Sequence, residues 1–230
     1  MKKVLTVVSI ILCCFLLFAC TEKPVEEAPA LTIDAYVTLY NAGAAAMQQR
    51  KIEATDLNKD NKINIDEVLV AAHKDLNKES DYASATTQYG LSITKLLGDT
   101  SGSYGYYVND ASAWSLADEV KADDYVTAYV YVDKEAYSDS YSFFTIRNAT
   151  AVKGETFSLT LKNAGFDAEW NTVIAATEGA TITVNGEATT VVTDADGVAK
   201  ITFTEAGTYV ISATSTTLTL VPPVCVVTVK

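Results

Sequence analysis

The sequence predicts a mainly β protein with one main helix, an α+β module followed by a β-sandwich. Three observations lead there. Short runs of Val, Thr, Tyr and Ile, separated by Gly, Asp, Asn and Ser clusters, recur from Tyr89 to the C-terminus. Only Ile65 to Leu76 carries clear helical spacing, with Ile65, Val68, Leu69, Ala72 and Leu76 on one face. Near residue 147 a tyrosine-rich composition gives way to a Thr- and Val-rich one, which places a boundary there.

Leu31 to Met47 fits either period, since Ala35, Val37 and Leu39 alternate with Tyr36, Thr38 and Tyr40. The turn-like Asn41-Ala42-Gly43 favours a strand that returns as a second arm over Met47 to Ala54. The helix has Asp66 and Glu67 in its first turn, where carboxylates suit the positive end of the helix dipole. Lys78 to Thr87 reads as a polar connection. Strands are expected at Tyr89–Leu97, Tyr104–Val108, Tyr125–Val132 and Tyr141–Ile146. Beyond residue 148, about seven short strands are expected, with hairpin turns at Asn185-Gly186 and Asp194 to Gly197, a sandwich pattern.

Residues 1–19 read as a bacterial export signal: Met1-Lys2-Lys3 is basic, and the apolar run from Val4 to Phe18 is shorter than the ~20 residues of a membrane span. Leu17-Phe18-Ala19-Cys20 resembles a lipobox, which would make Cys20 the acylated N-terminus and residues 20–30 a polar tether. An ordinary cleaved signal or an N-terminal anchor is the alternative. The expected location is the cell envelope, outside the cytoplasm. Loss of Lys2 and Lys3 takes the formal net charge from −12 to −14, and so acidic a chain lacks the basic clusters that hold nucleic acid. Of the four cysteines only Cys225 lies in the folded part, which excludes an internal disulfide there; flanked by valines, it is expected to be a buried apolar residue.

One motif is chemically specific. Asp56 to Glu67 matches the twelve-residue EF-hand calcium loop: Asp56, Asn58 and Asp60 at positions one, three and five, the Lys62 carbonyl at seven, Asn64 at nine through water, and Glu67 as the bidentate ligand at twelve. A hard cation takes six to eight oxygens, which alternate side chains of a tight loop can supply. Ile63 at position eight is the apolar anchor. Asn61 stands at position six, where the turn requires φ > 0 and glycine is usual; Asn tolerates that region better than most residues. The alternative is an Asx-rich turn that caps the helix near Asn64. The expected cofactor is calcium.

Tyr104-Gly105-Tyr106-Tyr107-Val108-Asn109-Asp110, Ala113-Trp114-Ser115-Leu116 and Asp123-Asp124 to Tyr131 resemble bacterial surface modules related to the C-terminal domain of transcobalamin. The resemblance covers about residues 33 to 146 and implies a β-grasp-like domain, placed at 31–147, with the calcium loop inserted between hairpin and helix. Ala122-Asp123-Asp124 stands where relatives carry Gly-Asp. Gly179 to Gly186, Thr193 to Ile201 and Ala206-Gly207-Thr208-Tyr209 resemble bacterial Ig-like domains of invasin type, which implies an Ig-like β-sandwich over 148–230.

Most of the 13 tyrosines lie between residues 82 and 141. They either pack half-buried in strands or form a binding face around Tyr104, Tyr106, Tyr107 and Trp114. His73, the single histidine, is expected to be a solvated or partly covered helix residue. No nucleophile elbow, phosphate loop, dinucleotide fingerprint or His-Glu-x-x-His is present. The expected function is therefore a non-catalytic, calcium-stabilised envelope lipoprotein for binding or adhesion, with an unknown protein, glycan or small-molecule partner. The alternative is capture of a small cofactor, cobalamin-like, or a glycan.

Overall fold

The computed structural model describes residues 29–167, 169 and 171–230. The expected signal, Cys20 and most of the expected tether lie outside the described residues. The first module opens with strands β1, Thr32–Asn41, and β2, Ala44–Thr55, an antiparallel hairpin turned by Ala42 and Gly43 at φ 47° and 80°. Ala35, Val37 and Leu39 are fully buried on one face of β1, beneath helix α1, Ile65–Asp75. Ile65, Val68, Leu69 and Ala72 supply the matching helix face and share one core with those three.

A 3₁₀ turn, Glu79–Asp81, leads to the hairpin β3, Ala83–Thr87, and β4, Gly90–Lys95. The expected polar connection from Lys78 to Thr87 is therefore half strand. Ala-Ser-Ala-Thr-Thr has no apolar alternation of its own, and pairing with β4 sets its conformation. The module closes with β5, Tyr104–Val108, β6, Ala111–Ser112, and β7, Tyr125–Val130. The sheet order is β2-β1-β7-β5-β6, with β7 parallel to β1 and antiparallel to β5. A parallel neighbour requires a long crossover, here the stretch that includes α1. Hairpin, helix and a last strand beside the first make the sheet β-grasp-like.

The second module has β8, Ser140–Phe144, β9, Asn148–Ala151, β10, Thr156–Phe166, β11, Thr172–Ala176, β12, Thr181–Val184, β13, Glu187–Val192, β14, Val198–Thr202, β15, Gly207–Thr214, β16, Leu220–Val221, and β17, Cys225–Val229. One sheet runs β11-β10-β8-β16, with β14 also on β10, and the other β13-β12-β15-β17-β9. Leu159, Leu161, Ile182, Ile211, Cys225 and Val227 fill a common core, an Ig-like sandwich. The β12–β13 hairpin turns at Asn185 and Gly186, φ 50° and 86°, as their pairing in the sequence demands.

One strand changes allegiance. The sequence places Tyr141–Ile146 with the first module, ahead of a boundary at 147, but β8 pairs with β10 and β16. The last strand of the first sheet thus ends at Val130 and the second module begins by Ser140. The composition misleads because β8 serves both modules. Phe144 joins the sandwich core, while Tyr141 and Phe143 point the other way, to tyrosines of the first sheet.

Candidate metal loop, aromatic residues and the joint between modules

The loop from Asp56 to Glu67 is organised around its two end carboxylates, which are only 5% and 4% exposed. Asp56 Oδ1 accepts from the backbone N–H of Lys59 and Asp60 at 2.7 and 3.2 Å, and Oδ2 accepts from Asn61 at 2.8 Å. Glu67 Oε1 accepts from Leu57 N at 2.7 Å, and Oε2 from Asn64 N at 3.0 Å, so one carboxylate ties the loop's entry to its exit. Asn61 has φ 64°, the left-handed conformation expected at position six. Ile63 is 1% exposed and packs in the core.

Asn64 is the helix N-cap. Its side chain accepts from Glu67 N at 3.0 Å while its own N–H donates to Glu67, a reciprocal capping box. The Asx-turn reading of this segment therefore holds for Asn64, whose backbone N–H and side chain both bond Glu67. Asp60, on the exposed rim, accepts from Asn58 Nδ2 at 3.2 Å and Lys62 N at 2.9 Å. Among the described residues no three His, Cys, Asp or Glu side chains already stand grouped for a metal ion. The residues nonetheless fit calcium in donor type and backbone path: all are hard oxygens, and two buried carboxylates are oriented by backbone N–H groups.

The aromatic quartet is divided. Tyr104 and Tyr106 pack, partly buried, on the core beneath α1, their hydroxyls donating to the carbonyls of Asp99 and Trp114 at 2.7 and 3.4 Å. Tyr107, on the other face of β5, is 8% exposed and stacks on Tyr141. Trp114 is 76% exposed. These four side chains do not build one binding face, so a pocket lined by them is corrected to two packing sites and one exposed indole. A groove of about 520 Å³ lies elsewhere, between β2 and α1, lined by Ile52, Leu57, Val70, Ala71 and Lys74 among others.

The tyrosines that sequence reasoning left between packing and binding close the joint between modules. Tyr40, Tyr107 and Tyr129 from the first sheet meet Tyr141, Ala164 and Val221 from the second module. Beside them Arg147 forms an ion pair with Asp110 and lies 4.5 Å over the Tyr125 ring. Tyr141 Oη donates to Asp110 at 2.9 Å, Asn148 Nδ2 donates to Tyr125 Oη at 2.6 Å, and Gln49 Nε2 donates to the Arg147 carbonyl at 3.1 Å. Burial pushes the Tyr107 hydroxyl up to about 12 and raises the Asp110 carboxyl despite the nearby guanidinium. In the sequence the only sign of this was that neither face of Tyr125–Val130 is charged, with Tyr125 and Tyr129 on one and Val126, Ala128 and Val130 on the other.

His73 is fully buried, not solvated as expected. Its Nδ1 lies 2.8 Å from the Leu69 carbonyl, Nε2 accepts from Leu97 N at 3.4 Å, and the ring stacks on Tyr82 at 4.8 Å. Two such partners require the neutral imidazole with its proton on Nδ1, and burial lowers its pKa. The helix pattern places His73 at the border of the apolar stripe; the β4–β5 connection then covers it. Cys225 is fully buried, its thiol pushed up to about 12 by burial, and so is a core residue as expected.

No family model and no curated protein matches the chain. Among solved structures, the tandem Ig repeats of Dlar are 11% identical with a TM-score of 0.28, covering 88% of this chain and 98% of that one. The N-terminal Ig1-2 module of the Drosophila receptor protein tyrosine phosphatase DLAR is 15% identical with a TM-score of 0.27, covering 88% and 99%. The immunoglobulin domains 1–4 of Sidekick-1 give 14% identity and 0.25, covering 87% and 51%. Scores this low carry nothing about function, and the sandwich assignment rests on the strand pairing of the chain itself. No helix among the described residues is long and apolar enough to cross a membrane.

Proposed function

We propose that this chain is a non-catalytic bacterial envelope lipoprotein, anchored through Cys20, that presents a rigid pair of modules for binding or adhesion and holds calcium in the loop from Asp56 to Glu67. The observation that carries the calcium reading is Glu67, buried and bonded to both ends of the loop. Asp56, Asn58, Asp60 and Glu67 would supply side-chain oxygens, Lys62 its carbonyl, and Asn64 a water-bridged contact. The bound ion would draw the Asp60 carboxylate in toward Asp56 and Glu67 and pin α1 to the end of β2. A lone loop of this kind belongs to the weak extracellular class, with Kd of about 10⁻⁴ to 10⁻³ M, an affinity suited to structural occupancy.

Thermal melting of the full chain with millimolar calcium, with chelator, and as Glu67→Gln tests the loop. Calcium raises the melting temperature of the parent and leaves the variant unmoved; curves that overlay across millimolar calcium reject the assignment. The anchor is tested by metabolic palmitate labelling, which Cys20→Ala abolishes. Capture of a small cofactor or glycan draws no support from the divided aromatic quartet, and a glycan and cofactor screen on the calcium-loaded chain is the direct test of partner class.

A further inference from the structure

The exit of the loop from Asp56 to Glu67 is held from outside by a strap, Trp114 to Val120, which belongs to the stretch between β6 and β7. Val120 N donates to the Ile63 carbonyl at 2.8 Å, and Ile65 N and Asp66 N donate to the carbonyls of Asp118 and Leu116, both at 3.1 Å. Asn64 and Glu119 form an isolated antiparallel bridge. Leu116 and Val120 are buried in the core that also holds Ile63 and Ile65. Asp118 keeps the strap in shape: its exposed carboxylate accepts, through Oδ2, from the backbone N–H groups of Trp114 and Ser115 at 3.2 and 3.4 Å. The strap is tied beyond the loop as well. Leu116 N donates to the Leu91 carbonyl of β4 at 3.0 Å, and Asp123 N, just past the strap, donates to the Asp34 carbonyl of β1 at 2.8 Å.

We propose, resting on the calcium reading of the loop, that the ion and the strap are coupled: calcium orders Trp114 to Val120, and the closed strap raises the loop's affinity for calcium. Lys62 and Asn64, two of the expected ligand positions, flank Ile63 in the sequence, and Asn64 is extended at φ −116° and ψ 174°. Successive groups of an extended chain point to opposite sides, so an ion on one side of this stretch leaves Ile63 to the strap on the other. Opening the strap frees the backbone of Ile63, Ile65 and Asp66, immediately before Glu67. It thereby loosens the carboxylate that closes the loop, and an ion that holds Glu67 resists the opening. Such linkage is reciprocal: the factor by which calcium suppresses opening is the factor by which closure favours calcium. The effect reaches the surface, because the strap begins at Trp114, whose side chain is exposed.

Amide hydrogen exchange of the full chain, read residue by residue with calcium and with chelator, tests the coupling. The calcium arm uses about 10 mM, roughly tenfold above the weak end of this class of site. The amides of Leu57 and Asn61 in the loop and of Val120 in the strap each slow by at least ~5-fold, the lower end of a coupling between sites. The amide of Asn185, bonded to Val210 in the second module, does not change. Slowing at Leu57 and Asn61 without slowing at Val120 overturns the coupling and leaves the calcium reading standing. No slowing at any of the three rejects the calcium reading and the coupling with it. As a second measurement, Asp118→Ala releases the strap's turn while every expected ligand stays in place. Its calcium Kd, titrated through the loop amides, weakens by at least ~5-fold. Asp118→Asn loses the charge but keeps an acceptor oxygen, and stays within about 2-fold of the parent, below the range of a coupling. Equal affinity in Asp118→Ala and the parent overturns the proposal. Equal weakening in both variants overturns it too, by assigning the effect to charge.

Discussion

Tyr107 of β5 and Tyr141 of β8 stack with ring centroids 3.6 Å apart and planes within 3°, joining the two modules face to face. The contact buries Tyr107 to 8% and Tyr141 to 5% exposure, and the Tyr141 hydroxyl reaches back to Asp110. Two modules joined this way unfold together, not as independent beads. Calorimetry is expected to show one transition for the parent and two for Tyr141→Ala. The variant should lose about 3 kcal/mol, the lower end for removing a large buried aromatic side chain. A single unshifted transition in Tyr141→Ala would show that the joint is not energetically coupled.

Arg147 and Asp110 extend the same joint, with side chains 26% and 17% exposed. Arg147→Ala leaves the Asp110 carboxylate partly buried without its cation and removes the guanidinium from Tyr125. The expected loss is about 2 kcal/mol, below the value for a fully buried pair because water reaches both groups. Asp110→Asn in the same chain should recover part of it. A double-mutant cycle by denaturant unfolding measures the coupling, and additive losses would sink this account.

His73 gives the first module a defined pH dependence. Its folded pKa is depressed by burial, so the unfolded chain takes up a proton more readily than the folded one. Stability is then fully present above the unfolded value of about 6.5 and falls as pH drops from there toward the folded pKa. Melting temperature should fall between about pH 7 and pH 5, and His73→Gln should flatten that part of the curve. The same slope in His73→Gln would assign it to carboxylates.

Gly105 sits on the tyrosine face of β5, directly against the Tyr129 ring. A Cβ there collides with that ring, and Tyr129 is 1% exposed and has no room to yield. Gly105→Ala should cost about 2 kcal/mol, in the range for overpacking a core. Gly165→Ala, where nothing stands near an added Cβ, is the matched control, and equal effects on melting would refute the steric account.

Asn61, at φ 64°, tests the loop's backbone independently of any ion. Asn61→Ala should lose about 1 kcal/mol, because the left-handed region penalises a Cβ that has no polar compensation. Asn61→Gly should match or exceed the parent in chemical denaturation. A tolerated alanine would mean that the turn is not held in this conformation.

Much of the architecture is local and was therefore legible. Ile65 to Leu76 carries its own period and cap, and Asp56 to Glu67 carries ligand types, a φ > 0 position and an apolar anchor at fixed offsets. Asn185-Gly186 fixes a hairpin because few other pairs accept two positive φ angles. Ala35, Val37 and Leu39 alternate as a strand must, and their burial follows.

Only tertiary structure decided the rest, for one physical reason: a side chain's environment depends on what covers its second face. Tyr107 stood between strand packing and a binding face, and nothing local named a partner for Tyr40 or Tyr129, because the sheet already had a core under α1; the second module supplies their other partner. His73 lay at the border of an apolar stripe until the β4–β5 connection closed over it. β8 read as part of the tyrosine-rich half because its sequence reports one face, whereas its hydrogen bonds belong to the sandwich. Periodicity determined which residues share a face; long-range packing determined what each face meets.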